Sequence, residues 1–262
     1  MNQDQPTPQG SSYPPGVSTG QMPMRPVFRP YVTYVLIGIC VAVYLIQLAT
    51  QSFYGVDIPA ALGAKDNVLI TQGQFWRLIT PIFLHSSFLP SGLFHIGFNM
   101  YALFIIGPTI ERFYGRWRYL SLFIVSGFAG NVMSFMFTQS PSLGASTAIF
   151  GWLGAEGVLI YQNREVFGSI ARRALTQVII IAAVNMVIGV TIPGIDIWGH
   201  IGGLIGGTLF AWFGGPLLRR QELIQTNAVV NVRSNREVII AGTAVFALFF
   251  FLTIAAIFIN KG

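Results

Sequence analysis

VIIAGTAVFALFFFLTIAAIFI, residues 238–259, runs for 22 residues without a charge. A helix of about 20 apolar residues crosses the hydrocarbon of a bilayer, so this stretch reads as a membrane span. Six similar blocks precede it, at 30–50, 93–113, 117–137, 146–162, 174–192 and 197–213. The fold class that follows is all-α, a polytopic membrane helix bundle. The fourth and sixth blocks are short and glycine-rich, which suits helices buried inside the bundle. Only 9% of the 262 residues are charged, against about 25% in a soluble domain.

Charge placement orients the spans. Arg25 and Arg29 precede the first block, and Arg112, Arg116 and Arg118 join the second to the third. Arg164, Arg172 and Arg173 follow the fourth, and Arg219, Arg220, Arg233 and Arg236 follow the sixth. The other side carries Lys65, Arg77 and Lys261. Twelve against three puts the N-terminus in the cytoplasm and the C-terminus outside. The net charge of +6 therefore reflects topology, and no nucleic-acid partner is expected. A bacterial cell membrane is the expected location, with lipid as a partner and the oligomeric state left open.

The single cysteine, Cys40, has no partner for an intramolecular disulfide. Residues 1–29 are rich in Pro, Gln, Ser and Gly and read as a disordered cytoplasmic tail. They lack the pattern of a signal peptide, so the first span is expected to be its own signal anchor. The loop at 51–92 is the longest and mixes aromatic with polar residues, as a part-folded interfacial element would. Residues 216–237 read as a cytoplasmic linker.

Polar groups in hydrocarbon are costly and need a reason. Ser146 opens the fourth block. Alone it is a packing residue or a helix cap, because a serine hydroxyl is a weak nucleophile without a base. His200 opens the sixth block, which runs in the same direction, so the two side chains are expected at one depth. Gly199, Gly203 and Gly207 recur every four residues, and Gly202 and Gly206 form a second row. Such rows allow the close backbone approach that a Ser–His hydrogen bond needs. His95 and Asn99 share a helix face and read either as inter-helix hydrogen bonds or as donors for an oxyanion.

Other polar residues read as structural. His85 is an interfacial residue or a supporting donor. Glu111 and Arg112 form a charge cluster, and Asn131 and Asn185 are helix glue. Glu156 lies about 15 Å below Ser146 at 1.5 Å per residue and is expected to be hydrogen-bonded or protonated. No aspartate is placed to orient His200, so helix packing is expected to do so. No metal-ligand spacing is present, and no cofactor is expected.

With these residues in place, the chain resembles the rhomboid intramembrane serine proteases over 35–213. The matching pieces are FWRLITPIFLH at 75–85, FHIGFNMYALFIIGPTIERFYG at 94–115, GASTAIFG at 144–151 and GHIGGLIGG at 199–207. The resemblance implies a six-helix catalytic core at 30–215, with 238–262 as an added seventh helix and outer tail. It implies Ser146 as nucleophile and His200 as general base, with His95, Asn99 and the Ser146 amide as an oxyanion hole. Trp76 and Arg77 match residues that fix the first loop. Gly144 keeps the backbone beside the serine open, and Gly203 serves the helix contact. Thr147 departs from the glycine usual after the serine, and Phe150 falls where some members stack a tyrosine on the histidine. Implied substrates are transmembrane protein segments. The competing readings are a catalytically silent rhomboid-like protein that binds membrane helices, and a transporter. The latter is disfavoured because IGGLIGGTLFAWF after His200 offers almost nothing polar.

Overall fold

The computed structural model describes residues 28–223 and 226–261. The expected tail at 1–29 lies outside them except for Phe28 and Arg29. The helices are α1 (Tyr31–Tyr54), α2 (Ile58–Gly63), α3 (Asn67–Thr71), α4 (Ser91–Tyr114), α5 (Arg116–Phe137), α6 (Ser146–Gln162), α7 (Arg164–Phe167), α8 (Ile170–Thr191), α9 (Ile197–Gly214) and α10 (Asn235–Lys261). Two 3-10 turns, Phe75–Leu78 and Thr80–Phe83, lie between α3 and α4.

Five of these helices, α1, α4, α5, α8 and α10, are long and apolar enough to cross a membrane. The protein is a multi-pass integral membrane protein. The short helices α6 and α9 have 17 and 18 residues and pack mainly against each other and against α5. Trp152, Phe123, Phe135 and Phe210 are fully buried among them. The outer helices leave their large apolar residues uncovered, as with Phe98 on α4 and Val190 on α8, where lipid is the natural solvent.

The glycine rows on α9 divide their work between two neighbours. A Cβ at Gly203 would overlap the Thr147 carbonyl of α6, and one at Gly207 would overlap the Gly151 backbone. Gly202 and Gly206 instead face Met133 and Ala129 of α5. The matched order, 147 with 203 and 151 with 207, makes α6 and α9 run in the same direction.

The expected charge cluster at Glu111 and Arg112 is something else. Glu111 is fully buried at the end of α4. Its Oε1 accepts the Val32 N–H at 3.1 Å, and its Oε2 accepts the Thr33 N–H at 2.8 Å. Thr33 Oγ1 also lies 2.8 Å from Oε2. Pro30 gives α1 no side-chain cap of its own, so a carboxylate 78 residues away satisfies the open amides and the positive end of the helix.

Two further readings change. The stretch read as a linker carries an antiparallel hairpin, β1 (Leu218–Leu223) with β2 (Thr226–Asn231). Asn185 donates to the Ile181 carbonyl of its own helix at 2.8 Å and joins no neighbour by that bond. Asn131 does act as glue, donating to the Leu78 carbonyl at 3.1 Å.

Candidate active site

Ser146 is the first residue of α6, and His200 lies in the first turn of α9. The glycine contacts bring these two helix heads together. His200 Nε2 sits 2.8 Å from Ser146 Oγ, a good hydrogen-bond distance. His200 is buried and Ser146 half-buried. Phe150, one turn along α6, stacks on the imidazole with ring centroids 4.2 Å apart and planes 14° apart.

Among the described residues no carboxylate hydrogen-bonds the His200 ring, and its Nδ1 has no partner. Packing therefore orients the ring, as the sequence suggested. The sequence reading passed over Asp196, however. Asp196 caps α9: its Oδ1 accepts the Gly199 N–H at 2.9 Å. A carboxylate directly before a helix is a recognisable cap signal, and here it sets the first turn that carries the histidine.

Gly144 precedes the serine with φ +137°, a backbone region that disfavours side chains. Its amide donates to the Pro81 carbonyl at 2.9 Å. A Cβ there would lie 2.8 Å from His95 Nε2 and 3.6 Å from Ser146 Oγ. The missing side chain thus lets the His95 ring approach the serine. His95 Nδ1 lies 3.4 Å from the Ser86 N–H. A nitrogen that accepts leaves the proton on the other one, so this contact makes Nε2 a donor towards the site. Asn99 is buried one turn along α4. One of its amide hydrogens goes to the His95 carbonyl at 2.9 Å.

His85 lies behind His95, with ring centroids 5.2 Å apart. It is fully buried, and neither ring nitrogen has a partner. Burial, and then the neighbouring His95, push its pKa down to about 3. Gln47 of α1 holds its backbone from both sides, accepting its N–H at 3.0 Å and donating to its carbonyl at 2.7 Å.

Trp76 and Arg77 tie the first loop together. Trp76 Nε1 donates to the Leu62 carbonyl at 3.0 Å. Arg77 is buried and donates to the carbonyls of Ala61 and Ala64 at 2.6 and 2.8 Å, and to Gln74 at 2.8 Å. Thr147 turns away from the serine. Its side chain fills the space left by Gly130 on α5 and Gly199 on α9, and its hydroxyl is buried without a partner. The extra bulk is absorbed by two glycines and supplies no hydroxyl to the site. Glu156 is half-buried, with no hydrogen bond to its carboxylate among the described residues.

This geometry defines a class: a membrane helix bundle that brings a serine and a histidine together at the heads of two parallel buried helices. Comparison with known sequences gives the family. The family profile described as "Rhomboid domain" matches residues 72–217, and the chain belongs to the rhomboid family. It is 40% identical over 179 residues to "Rhomboid protease GluP" of Bacillus subtilis (strain 168), covering 68% of this chain and 34% of that protein. It is 33% identical over 198 residues to "RHOMBOID-like protein 9, chloroplastic" of Arabidopsis thaliana, covering 72% and 44%. It is 37% identical over 162 residues to "Rhomboid-like protease 1" of Toxoplasma gondii, covering 57% and 52%. The chain spans between about a third and a half of the length of these relatives.

Proposed function

We propose that the protein is an intramembrane serine endopeptidase that cleaves membrane-spanning segments of other proteins. The 2.8 Å contact between His200 Nε2 and Ser146 Oγ carries this reading. Likeness to a protein named as a rhomboid protease supports it.

In this mechanism His200 takes the Ser146 proton while Oγ attacks the scissile carbonyl. Negative charge gathers on the carbonyl oxygen. His95 Nε2, the second amide hydrogen of Asn99 and the Ser146 N–H are the donors assigned to it. The first turn of α6 adds positive potential at the same place. His200 then gives its proton to the leaving amine. A water, deprotonated by His200, releases the acyl group and regenerates the serine. A substrate helix hides its peptide bonds in its own hydrogen bonds, so it must unwind locally. Segments with Gly, Pro or polar residues near the scissile bond are the expected substrates.

In this reading residues 30–215 are the catalytic core, and α10 with the end of the chain is an addition to it. The arginine bias supports a cytoplasmic N-terminus and an outer catalytic face. Likeness to a Bacillus protein supports a bacterial membrane. The Thr147 side chain, turned away from the serine, supports the protease reading over that of a silent relative.

The test is labelling of the purified protein with a fluorophosphonate probe, alongside cleavage of a reporter transmembrane substrate. Wild type should label and cleave, and Ser146→Ala and His200→Ala should do neither. Equal product from wild type and both variants would overturn the reading.

A further inference from the structure

Lys65 has no part in the mechanism above, yet it is fully buried. A buried ammonium is costly unless it is paired or fully hydrogen-bonded. Its Nζ donates to the Ser140 carbonyl at 2.7 Å, the Thr138 carbonyl at 2.8 Å and Asn67 Oδ1 at 3.1 Å. Its backbone pairs with Ser142 in both directions, at 2.9 and 3.1 Å. Five hydrogen bonds thus start from one residue, and four of them grip the segment from Thr138 to Ser142 that delivers Ser146.

The same lysine reaches the other half of the pair. Thr138 gives Lys65 its carbonyl, and its hydroxyl lies 3.5 Å from Asp196 Oδ1. Asp196 caps the helix of His200. Its other oxygen is buried without a hydrogen-bond partner, and Lys65 is near enough to interact with the carboxylate electrostatically. We propose that Lys65 is a positioning residue for the Ser146–His200 pair: its buried ammonium fastens the segment that delivers the serine and, through Thr138 and Asp196, the head of the histidine helix.

The protonation state matters because three acceptors need three N–H groups. A neutral amine has two and carries no charge for Asp196. The charged groups that face Lys65 are Asp66 on its own segment and Asp196 from the head of α9. Residues 138–145 carry no charge. Burial outweighs both carboxylates and lowers Lys65 to about 8. The clamp is therefore complete at pH 7 and loses a bond at mildly alkaline pH. The only other lysine is Lys261, at the far end of the chain.

The sign of the stability effect separates positioning from plain structure. A cation whose pKa falls on folding contributes stability that is fully present above its unfolded value, about 10.4, and lost as pH falls through the folded value. Raising the pH from 7 to 9.5 should thus weaken the clamp without lowering the thermal midpoint through this group.

This inference rests on Ser146 being the reactive serine, so Ser146→Ala is run beside every sample. The measurement is the initial rate of fluorophosphonate labelling between pH 6 and 9.5, with a thermal midpoint at each pH. Wild type should lose at least tenfold in rate between pH 7 and 9.5, the fall setting in around pH 8, reversibly and with no fall in midpoint. Lys65→Met should label at least tenfold slower at pH 7 and show no further alkaline fall. Lys65→Arg should label near the wild-type rate and hold it to pH 9.5. If Lys65→Met does not fold, the wild-type and Lys65→Arg profiles decide. A wild type without the reversible fall, a Lys65→Met that labels at the wild-type rate, or a Lys65→Arg that keeps the fall near pH 8 would each overturn the proposal. A wild type unlabelled at every pH overturns the protease reading itself, and this inference falls with it.

Discussion

Phe150 lies flat on His200, 4.2 Å between centroids, and the ring it covers has an Nδ1 without a partner. In this site an aromatic face holds an imidazole that no carboxylate among the described residues hydrogen-bonds. Phe150→Ala should free the ring and lower Ser146 labelling about 100-fold, the loss typical of a misplacement of about 1 Å. Phe150→Tyr should keep most of the rate. In substrate cleavage the loss in Phe150→Ala should appear in kcat more than in KM.

Gly144→Ala should be as damaging with one atom added. The new methyl meets His95 Nε2 at 2.8 Å, and φ of +137° disfavours any side chain. If His95 serves the oxyanion, its displacement should cost roughly 10²–10³ in kcat. Cleavage of the reporter substrate, with circular dichroism to confirm retained helicity, checks this.

The two glycine rows should respond unequally. Gly203→Ala drives a methyl into the Thr147 backbone, which cannot yield without parting α6 from α9. Labelling should be lost and the thermal midpoint should drop. Gly202→Ala meets Met133 Cβ and Cγ and the Ala129 carbonyl of α5, so its midpoint should drop as well, but it presses α9 off α5 rather than off α6 and should retain labelling below the midpoint.

His85 should make stability fall in acid. Its pKa is depressed on folding to about 3, so its contribution is fully present above the unfolded value, about 6.5, and is lost as pH falls through about 3. Each unit between those values should cost up to about 1.4 kcal/mol. Thermal midpoints from pH 7 down to pH 4 should show this slope, and His85→Gln should flatten it.

Glu111→Ala should destabilise by about 2 kcal/mol, because it strands the Val32 and Thr33 amides that now bond a carboxylate, while the Thr33 hydroxyl keeps its bond to Tyr119. Glu111→Gln, which keeps acceptor oxygen, should lose less. Thermal unfolding of both variants reads the difference, and labelling below the midpoint should be unchanged.

Apolar runs and glycine spacing made the spans, and the meeting of Ser146 with His200, legible before any coordinates. Both are local patterns with a strict period. The fifth block was read as starting at 174, whereas α8 begins at Ile170. Arg172 and Arg173 look like a loop in sequence, but long basic side chains can leave a helix end for the interface. The hairpin at 218–231 was missed because that stretch lacks the Asn-Gly or Asp-Gly turn that advertises one. Lys65 was read only as a marker of topology. Its burial depends on acceptors 73 and 75 residues away, and nothing local signals them. Glu111 was misread for the same reason.

The cap that Glu111 places on α1 also bears on how the chain is made. Val32 and Thr33 leave the ribosome long before residue 111 does. At synthesis rates of about 5–20 residues per second, the 78-residue separation amounts to roughly 4–16 s. During that interval the first span has no anchor for its leading turn except water or lipid headgroups. Its final seat is fixed only when the second long span arrives, so a span translated before α4 is locked after it.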